Sequence, residues 1–356
     1  MLSRVPGRQA LLIVVVFVAT LVLLAGTWAV VTRSTGTGPA STRSDGPTTG
    51  AANPTPAPSG SDPAASALSP VPGSSGASPS SGGPNPSASE PAAVVLVGAG
   101  DIGVCSLEGA RRTSDLLLEE EGTVFTLGDN AYPNGRTRNY EECYDPTWGR
   151  LLDRTLLPVI GNHDWHTAGA AGYRAYFGDA AGTADATWYS RDIGAWHVIV
   201  LDSECDKVGG CDDESPQGRW LAADLAASTA RCTLALWHAP RFSSGLHGND
   251  RGVQPFWSAL QEAGADLVVN GHDHDYERFA PLDADGDVLR PGGMREIVAG
   301  TGGAELRPFE ELAAHSEFRL AGSWGILRLT LHAASYEWEF VPVSGDVADA
   351  GSTPCH

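Results

Sequence analysis

Five short segments of this chain place metal-binding side chains directly behind apolar runs. They are Gly100-Asp101-Ile102-Gly103, Gly128-Asp129-Asn130-Ala131-Tyr132, Gly161-Asn162-His163-Asp164, Leu236-Trp237-His238-Ala239 and Gly271-His272-Asp273-His274. Carboxylates, a phenol, an amide oxygen and imidazoles are the donors that hold hard and borderline metal ions. His272 and His274 stand two residues apart, so in an extended segment both side chains leave the same face. Each could then serve one ion of a pair roughly 3.5 to 4 Å apart. Asp129 and Tyr132 share one tight loop and can turn towards one ion, and the two oxygens of a carboxylate allow Asp129 to bridge. Two cations at that distance imply hydrolytic chemistry, because they lower the pKa of a water and neutralise charge developing on phosphoryl oxygens.

The runs that precede these segments are Val94 to Val97, Val124 to Leu127, Leu156 to Ile160, Thr233 to Leu236 and Leu267 to Val269. Their length and branched apolar content predict buried strands. The candidate ligands therefore sit where strands end and loops begin, the usual place for chemistry in layered α/β folds. Helices are expected over Ser106 to Glu121, Gln217 to Ala227 and Val253 to Glu262. Further strands are expected over Thr187 to Arg191, Trp196 to Leu201, Glu296 to Ala299, Ile326 to Leu331 and Tyr336 to Val343. Alternation at the front with a hairpin-like tail predicts mixed sheets.

Taken in order, the motifs resemble those of the metallophosphoesterase (calcineurin-like) superfamily, and Gly-Asp-x-x-Tyr makes them most similar to the purple acid phosphatases. The resemblance spans Asp101 to His274. It implies a four-layer αββα sandwich of two mixed β-sheets, with the metals at the strand ends. Matched residue for residue, Asp101, Asp129, Tyr132 and His274 would hold the first metal, and Asp129 would bridge to a second completed by Asn162, His238 and His272. Two carboxylates and a phenolate suit Fe(III), whereas a shared carboxylate, an amide oxygen and two imidazoles suit a divalent Fe, Zn or Mn ion. The implied function is a dinuclear-metal phosphatase that hydrolyses phosphomonoesters by attack of a metal-bound hydroxide. A phosphodiesterase or nucleotide pyrophosphatase of the same superfamily is the alternative, and a non-catalytic metal-bearing surface protein a more distant one. The family's Gly-Asn-His segment places His163 near the leaving group or a phosphate oxygen, where an imidazolium could donate a proton. Asp164 could orient it, and His247, in the loop after His238, is a second candidate for phosphate contact. Gly103 stands where many superfamily members carry a His, which is consistent with Tyr132 supplying the missing ligand; a packing tyrosine is the other reading.

Rival motifs explain less. Gly98-Ala99-Gly100-Asp101-Ile102-Gly103 has the outline of a dinucleotide fingerprint, with Glu119 to Glu121 downstream. It leaves Asp129, Asn162, His238 and the His272/His274 pair without a role. Asp283-Ala284-Asp285-Gly286-Asp287 has its Gly misplaced for a calcium loop and reads as a hairpin turn. His166, His197, His315, His332 and His356 have no partner motif, and Trp188, Trp196, Trp237, Trp324 and Trp338 in strand-like runs are expected to fill the core.

The 356 residues fall into three stretches. Residues 1–33 contain an uncharged run from Ala10 to Val31 that is long enough to span a bilayer. It exceeds the apolar core of a cleaved signal peptide, so an uncleaved signal-anchor is expected, with secretion after cleavage as the alternative. Residues 34–92 are nearly all Ser, Pro, Gly, Ala and Thr, too poor in apolar surface to offset the entropy of ordering, and read as a disordered spacer. Residues 93–356 form the expected catalytic domain and carry all six cysteines. An even cysteine count behind an export signal suggests disulfides and places this domain outside the cytoplasm. Cys205 with Cys211 and Cys105 with Cys143 are the pairs the loops favour, although other connectivities stay open. A net charge of −20 counts against a nucleic-acid partner and leaves a small phosphate ester as the expected one. Loops such as 168–186 and 304–317 shape the pocket without a readable code for substrate, and the sequence carries none for oligomeric state.

Overall fold

The computed structural model describes residues 92–356. The expected membrane span and all but the last residue of the expected spacer lie outside the described residues. Among the described residues no helix is long and apolar enough to cross a membrane.

Two mixed sheets build the fold. The first contains β1 (Val94–Ala99), β2 (Thr123–Thr126), β3 (Thr155–Leu157), β11 (Gly325–Leu331), β12 (Ser335–Pro342) and β13 (Asp349–Pro354), in the order β13-β12-β11-β1-β2-β3. The second contains β4 (Tyr189–Ile193), β5 (Trp196–Val200), β6 (Cys232–Leu236), β7 (Leu267–Asn270), β8 (Tyr276–Phe279), β9 (Arg295–Ala299) and β10 (Ser316–Leu320), in the order β10-β8-β9-β7-β6-β5-β4. β1, β2 and β3 are parallel, as are β5, β6, β7 and β9.

The apolar runs are continuous because both faces of these strands are covered. In β1, Leu96 enters the core between the sheets while Val97 and Ala99 face the outer layer. Leu234 and Leu236 of β6 and Leu267 and Val269 of β7 likewise point inward, with Ala235 and Val268 outward. Leu221 of the helix Pro216–Ala227 and Phe256, Trp257 and Leu260 of the helix Gln254–Glu262 cover the second sheet. Ala110 and Leu117 of the helix Gly109–Glu119 and Tyr173 and Phe177 of the helix Ala171–Phe177 cover the first. The layers thus run helix, sheet, sheet, helix. Ser215 caps its helix by accepting a 2.9 Å hydrogen bond from the Gly218 amide, with Pro216 in the first turn.

Boundaries differ from expectation where local chemistry intervenes. The first helix starts at Gly109 rather than Ser106 and stops at Glu119, ahead of Gly122 at φ 117°. β3 begins at Thr155 and stops before Pro158, which has no N–H for the ladder. β8, β10 and β13 were not expected at all; their sequences are polar, and pairing to neighbours decides their state. Asp283 to Asp287 is a hairpin turn, closed by the Asp283 amide donating to Asp287 O. Disulfides join Cys105–Cys143 and Cys205–Cys211, as the loops favoured, and Cys232–Cys355.

Candidate metal centre

Every motif that pointed to a metal lies at the C-terminal end of a parallel strand, where open α/β sheets leave a crevice. Asp101 follows β1, Asp129 follows β2, Asn162 follows β3, His238 follows β6, and His272 follows β7 with His274 just beyond it. Three of these residues hold left-handed backbone without being glycine: Asp101 at φ 59°, Asp129 at φ 50° and His272 at φ 72°. Such conformations cost about 1–3 kcal/mol each and persist where surrounding structure enforces them. Close packing supplies the enforcement. A Cβ on Gly161 would lie 2.3 Å from the Asp129 nitrogen, and one on Gly128 would lie 2.4 Å from Nδ1 of His238.

The side chains converge as two sets that share one residue. In the first, the Tyr132 hydroxyl is 2.8 Å from Asp101 Oδ1, 3.0 Å from Asp129 Oδ2 and 3.2 Å from His274 Nε2. His274 Nε2 closes this set at 3.3 Å from Asp101 Oδ1. In the second, His238 Nε2 is 3.1 Å from Asn162 Oδ1, 3.1 Å from His272 Nδ1 and 3.5 Å from Asp129 Oδ1. Asp129 therefore presents one oxygen to each set.

Two imidazole tautomers are set by carbonyls behind them. His238 Nδ1 donates to Leu127 O at 2.7 Å and His274 Nδ1 to Glu305 O at 2.8 Å, so each Nε2 is the nitrogen left for the cluster. The Asp101 and Asp129 carboxylates are buried, and among the described residues neither pairs with a lysine or arginine. Burial opposes their charge, yet neighbouring histidines hold both below the usual carboxylate range, His274 and His238 for Asp101 and His238 and His163 for Asp129. Burial also disfavours an imidazolium at His238, but Asp129 and Asp101 outweigh it and raise that residue to about 10. His272, desolvated and beside His238 and His247, is pushed down to about 3 and stays neutral. Burial and the two carboxylates push the Tyr132 phenol well up, so only a strong positive charge would ionise it.

These donors fit metal ions. Metal–ligand bonds of roughly 2.0–2.2 Å set neighbouring ligand atoms roughly 3.0–3.4 Å apart, close to the separations within each set. Buried carboxylates gathered with an amide oxygen and imidazole nitrogens aimed inward call for positive charge among them, which protons on the histidines supply in the absence of a metal and a cation would supply in their place.

Flanking groups shape the rim. His163 lies 3.8 Å from Asp129 Oδ2 through Nε2, packs against the Tyr132 ring at 4.4 Å with the rings tilted by 50°, and donates from Nδ1 to Pro133 O at 2.6 Å. His247 packs over the His272 ring at 4.1 Å on the opposite side. Asp164 does not orient His163 as expected. Its oxygens accept from Tyr140 at 2.7 Å, Asn130 Nδ2 at 2.9 Å, Gly161 N at 3.1 Å and Asn130 N at 3.2 Å, which ties the loops after β2 and β3 together. Neighbours in the sequence point apart here, and the carboxyl turns into the core.

Sequence reading missed two rim residues. Asp273 alternates with His272 and His274, so it faces away from the cluster, and its carboxylate accepts from the Ser243 hydroxyl and from both the amide and Nδ1 of His247, at 2.8 and 3.0 Å. Period-two spacing within Gly-His-Asp-His was the signal available for it. Arg307, whose Nη1 lies 3.4 Å from His247 Nε2, comes from a loop with no motif and had none.

Comparison with known proteins fits this arrangement. A family model for calcineurin-like phosphoesterases matches residues 95–276, about half of the chain. The chain belongs to the calcineurin-like phosphoesterase family. Its relatives include purple acid phosphatase 15 of Arabidopsis thaliana, 27% identical over 60% of this chain and 46% of that protein. An uncharacterised protein of Mycobacterium tuberculosis is 30% identical over 47% of this chain and 37% of its own length. The structure of purple acid phosphatase PPD1 from yellow lupin seeds shares the fold, with a TM-score of 0.64 at 19% identity, covering 74% of this chain and 54% of that one. The chain thus spans about half the length, or less, of these relatives.

Proposed function

We propose that this member of the family is a dinuclear-metal phosphatase acting on phosphomonoesters, in the manner of purple acid phosphatases. The observation that carries the reading is Asp129, whose two oxygens face two separate donor sets. Asp101, Asp129, Tyr132 and His274 would hold Fe(III), and Asp129, Asn162, His238 and His272 a divalent Fe, Zn or Mn ion. When bound, the pair supplies the Lewis acidity that makes a water nucleophilic near neutrality and offsets charge on the phosphoryl oxygens.

The chain's own residues supply the remaining steps. His163, held by Pro133 O through Nδ1, keeps Nε2 at the rim of the first set. As an imidazolium it gives that proton to the leaving oxygen as the P–O bond breaks, a contribution of about 10²- to 10⁴-fold. His247, braced by Asp273, faces the phosphoryl group from the other side. The His163 amide donates to Asp129 Oδ1 at 2.7 Å and so fixes the carboxylate that the two donor sets share.

The uncharged run from Ala10 to Val31 would anchor the chain, the Ser/Pro/Gly/Ala-rich stretch to residue 92 would space it, and residues 93–356 would work outside the cytoplasm. Three disulfides support an oxidising compartment. Protease added to intact cells should remove the domain and leave the anchor behind; protection of the domain would overturn this placement.

Hydrolysis of a chromogenic phosphate monoester and its matching diester by the metal-loaded chain tests the activity, with Asp129→Asn as the control. Since loss of a group that merely supports a ligand costs about 10–100-fold, loss of the shared ligand should cost more than ~10²-fold. Faster diester turnover would move the protein to the phosphodiesterases, and an unimpaired Asp129→Asn variant would refute the site.

A further inference from the structure

We propose that Arg307 and His247 form a second anion subsite beside the metal-ligand cluster, selecting phosphate esters that carry another anionic group near the scissile phosphate. This rests on the phosphatase reading and narrows its substrate class.

The Arg307 backbone is held at the site. Its amide donates to His274 O at 3.1 Å, while His274 Nδ1 donates back to Glu305 O, so the segment clips both sides of a cluster residue. The same loop is tied at Ala304, whose amide reaches Asp101 O at 2.7 Å, and at Ala313, whose amide reaches the Ser244 hydroxyl at 2.8 Å. From this base the guanidinium crosses to His247, with Nη1 at 3.4 Å from Nε2. Because His247 Nδ1 faces Asp273, its Nε2 is the atom that meets the arginine and the rim.

Arg307 is also electrostatically unsatisfied. Among the described residues it forms no ion pair, whereas Arg278, Arg290 and Arg295 all share Glu317. One weak contact to an imidazole leaves most of its five donors free, and a planar guanidinium binds phosphate or carboxylate in a two-pronged fashion. In a chain of net charge −20 an arginine without an ion pair at the rim is a local positive charge available to an anion. A phosphoryl group on the cluster would have this cation one imidazole away, because the His247 ring that meets the guanidinium at Nε2 packs at 4.1 Å on the ring of His272.

Matched ligands test the idea. The metal-loaded full chain, Arg307→Gln and Arg307→Lys are compared on propane-1,3-diol bisphosphate against propyl phosphate for kcat/KM. They are also compared on propane-1,3-bisphosphonate against propylphosphonate for Kd by calorimetry. The wild type should prefer the doubly anionic member of each pair. That preference should fall about 10- to 100-fold in Arg307→Gln, the scale of one charge-assisted contact, and return in part in Arg307→Lys. Turnover with the same preference in all three proteins would overturn the subsite and leave the phosphatase reading standing. A wild type that neither binds nor hydrolyses any of the four ligands would overturn both.

Discussion

Tyr132 decides which chemistry the first donor set can host. Its hydroxyl donates to the Asp101 and Asp129 carboxylates, and burial together with those charges keeps it protonated in the absence of a cation. A trivalent ion would supply the compensating charge and turn it into a phenolate ligand. Tyr132→Phe should therefore abolish a visible tyrosinate-to-iron absorption band in the iron-loaded protein. The fold should survive, since the ring keeps its packing on His163 and loses only the oxygen. A band that persists in the variant would remove Tyr132 from the ligand set, whereas loss of the band with unchanged far-ultraviolet circular dichroism would place it there. The type and spacing of Tyr132 were legible in the sequence because a strand end and a tight loop leave the side chain few places to go.

Elements were legible where both their faces are buried, and illegible where pairing alone makes them. β1, β6 and β7 carry unbroken apolar runs because core lies on either side. β8 reads as polar, yet Glu277 within it is buried and accepts from the Ser244 amide and hydroxyl and from the Ser316 hydroxyl. No periodicity announces such a strand; its state depends on β9 and β10 beside it. The loop 243–247 shows the same dependence at the site. Its position relies on Asp273, which accepts from Ser243 and twice from His247 while facing away from the cluster. Asp273→Asn keeps the shape but replaces one acceptor oxygen by a donor. The variant should retain both metals by elemental analysis and lose about 10- to 100-fold in kcat/KM, the usual scale for a group that orients another. Metal loss in parallel with activity would show that Asp273 supports the ligands rather than the loop.

Across the whole molecule, burial of acidic groups gives stability a definite dependence on pH. Burial raises Asp202 to about 7, although the Thr187 hydroxyl, the Glu204 amide and Trp165 all donate to it, and burial likewise raises Glu296 to about 8. The folded state therefore binds protons at these sites that the unfolded chain releases near its ordinary carboxylate values of 3.8 and 4.5. Stability from each is present below the unfolded value and is lost as pH rises through the folded one. His197, raised chiefly by its hydrogen bond to Asp224, works in the same direction from 6.5 upward. Asp224 and Glu317 oppose it at the acidic end: both are held below their ordinary values by hydrogen-bonded partners despite burial, so their stabilisation fades as pH falls through their folded values. Together these place the stability maximum on the acid side of neutrality, with unfolding free energy declining from about pH 5 towards pH 8. Asp202 should account for on the order of 3 kcal/mol of that decline, from the roughly two pH units between pH 5 and its folded value of about 7 at 1.36 kcal/mol each. Asp202→Asn should lower the urea midpoint at acidic pH, because Asn leaves fewer acceptors for the same donors, and should flatten its fall between pH 5 and 8. A variant whose midpoint declines as steeply as the wild type's would show that Asp202 is ionised in the folded protein throughout, and that the decline originates in other groups.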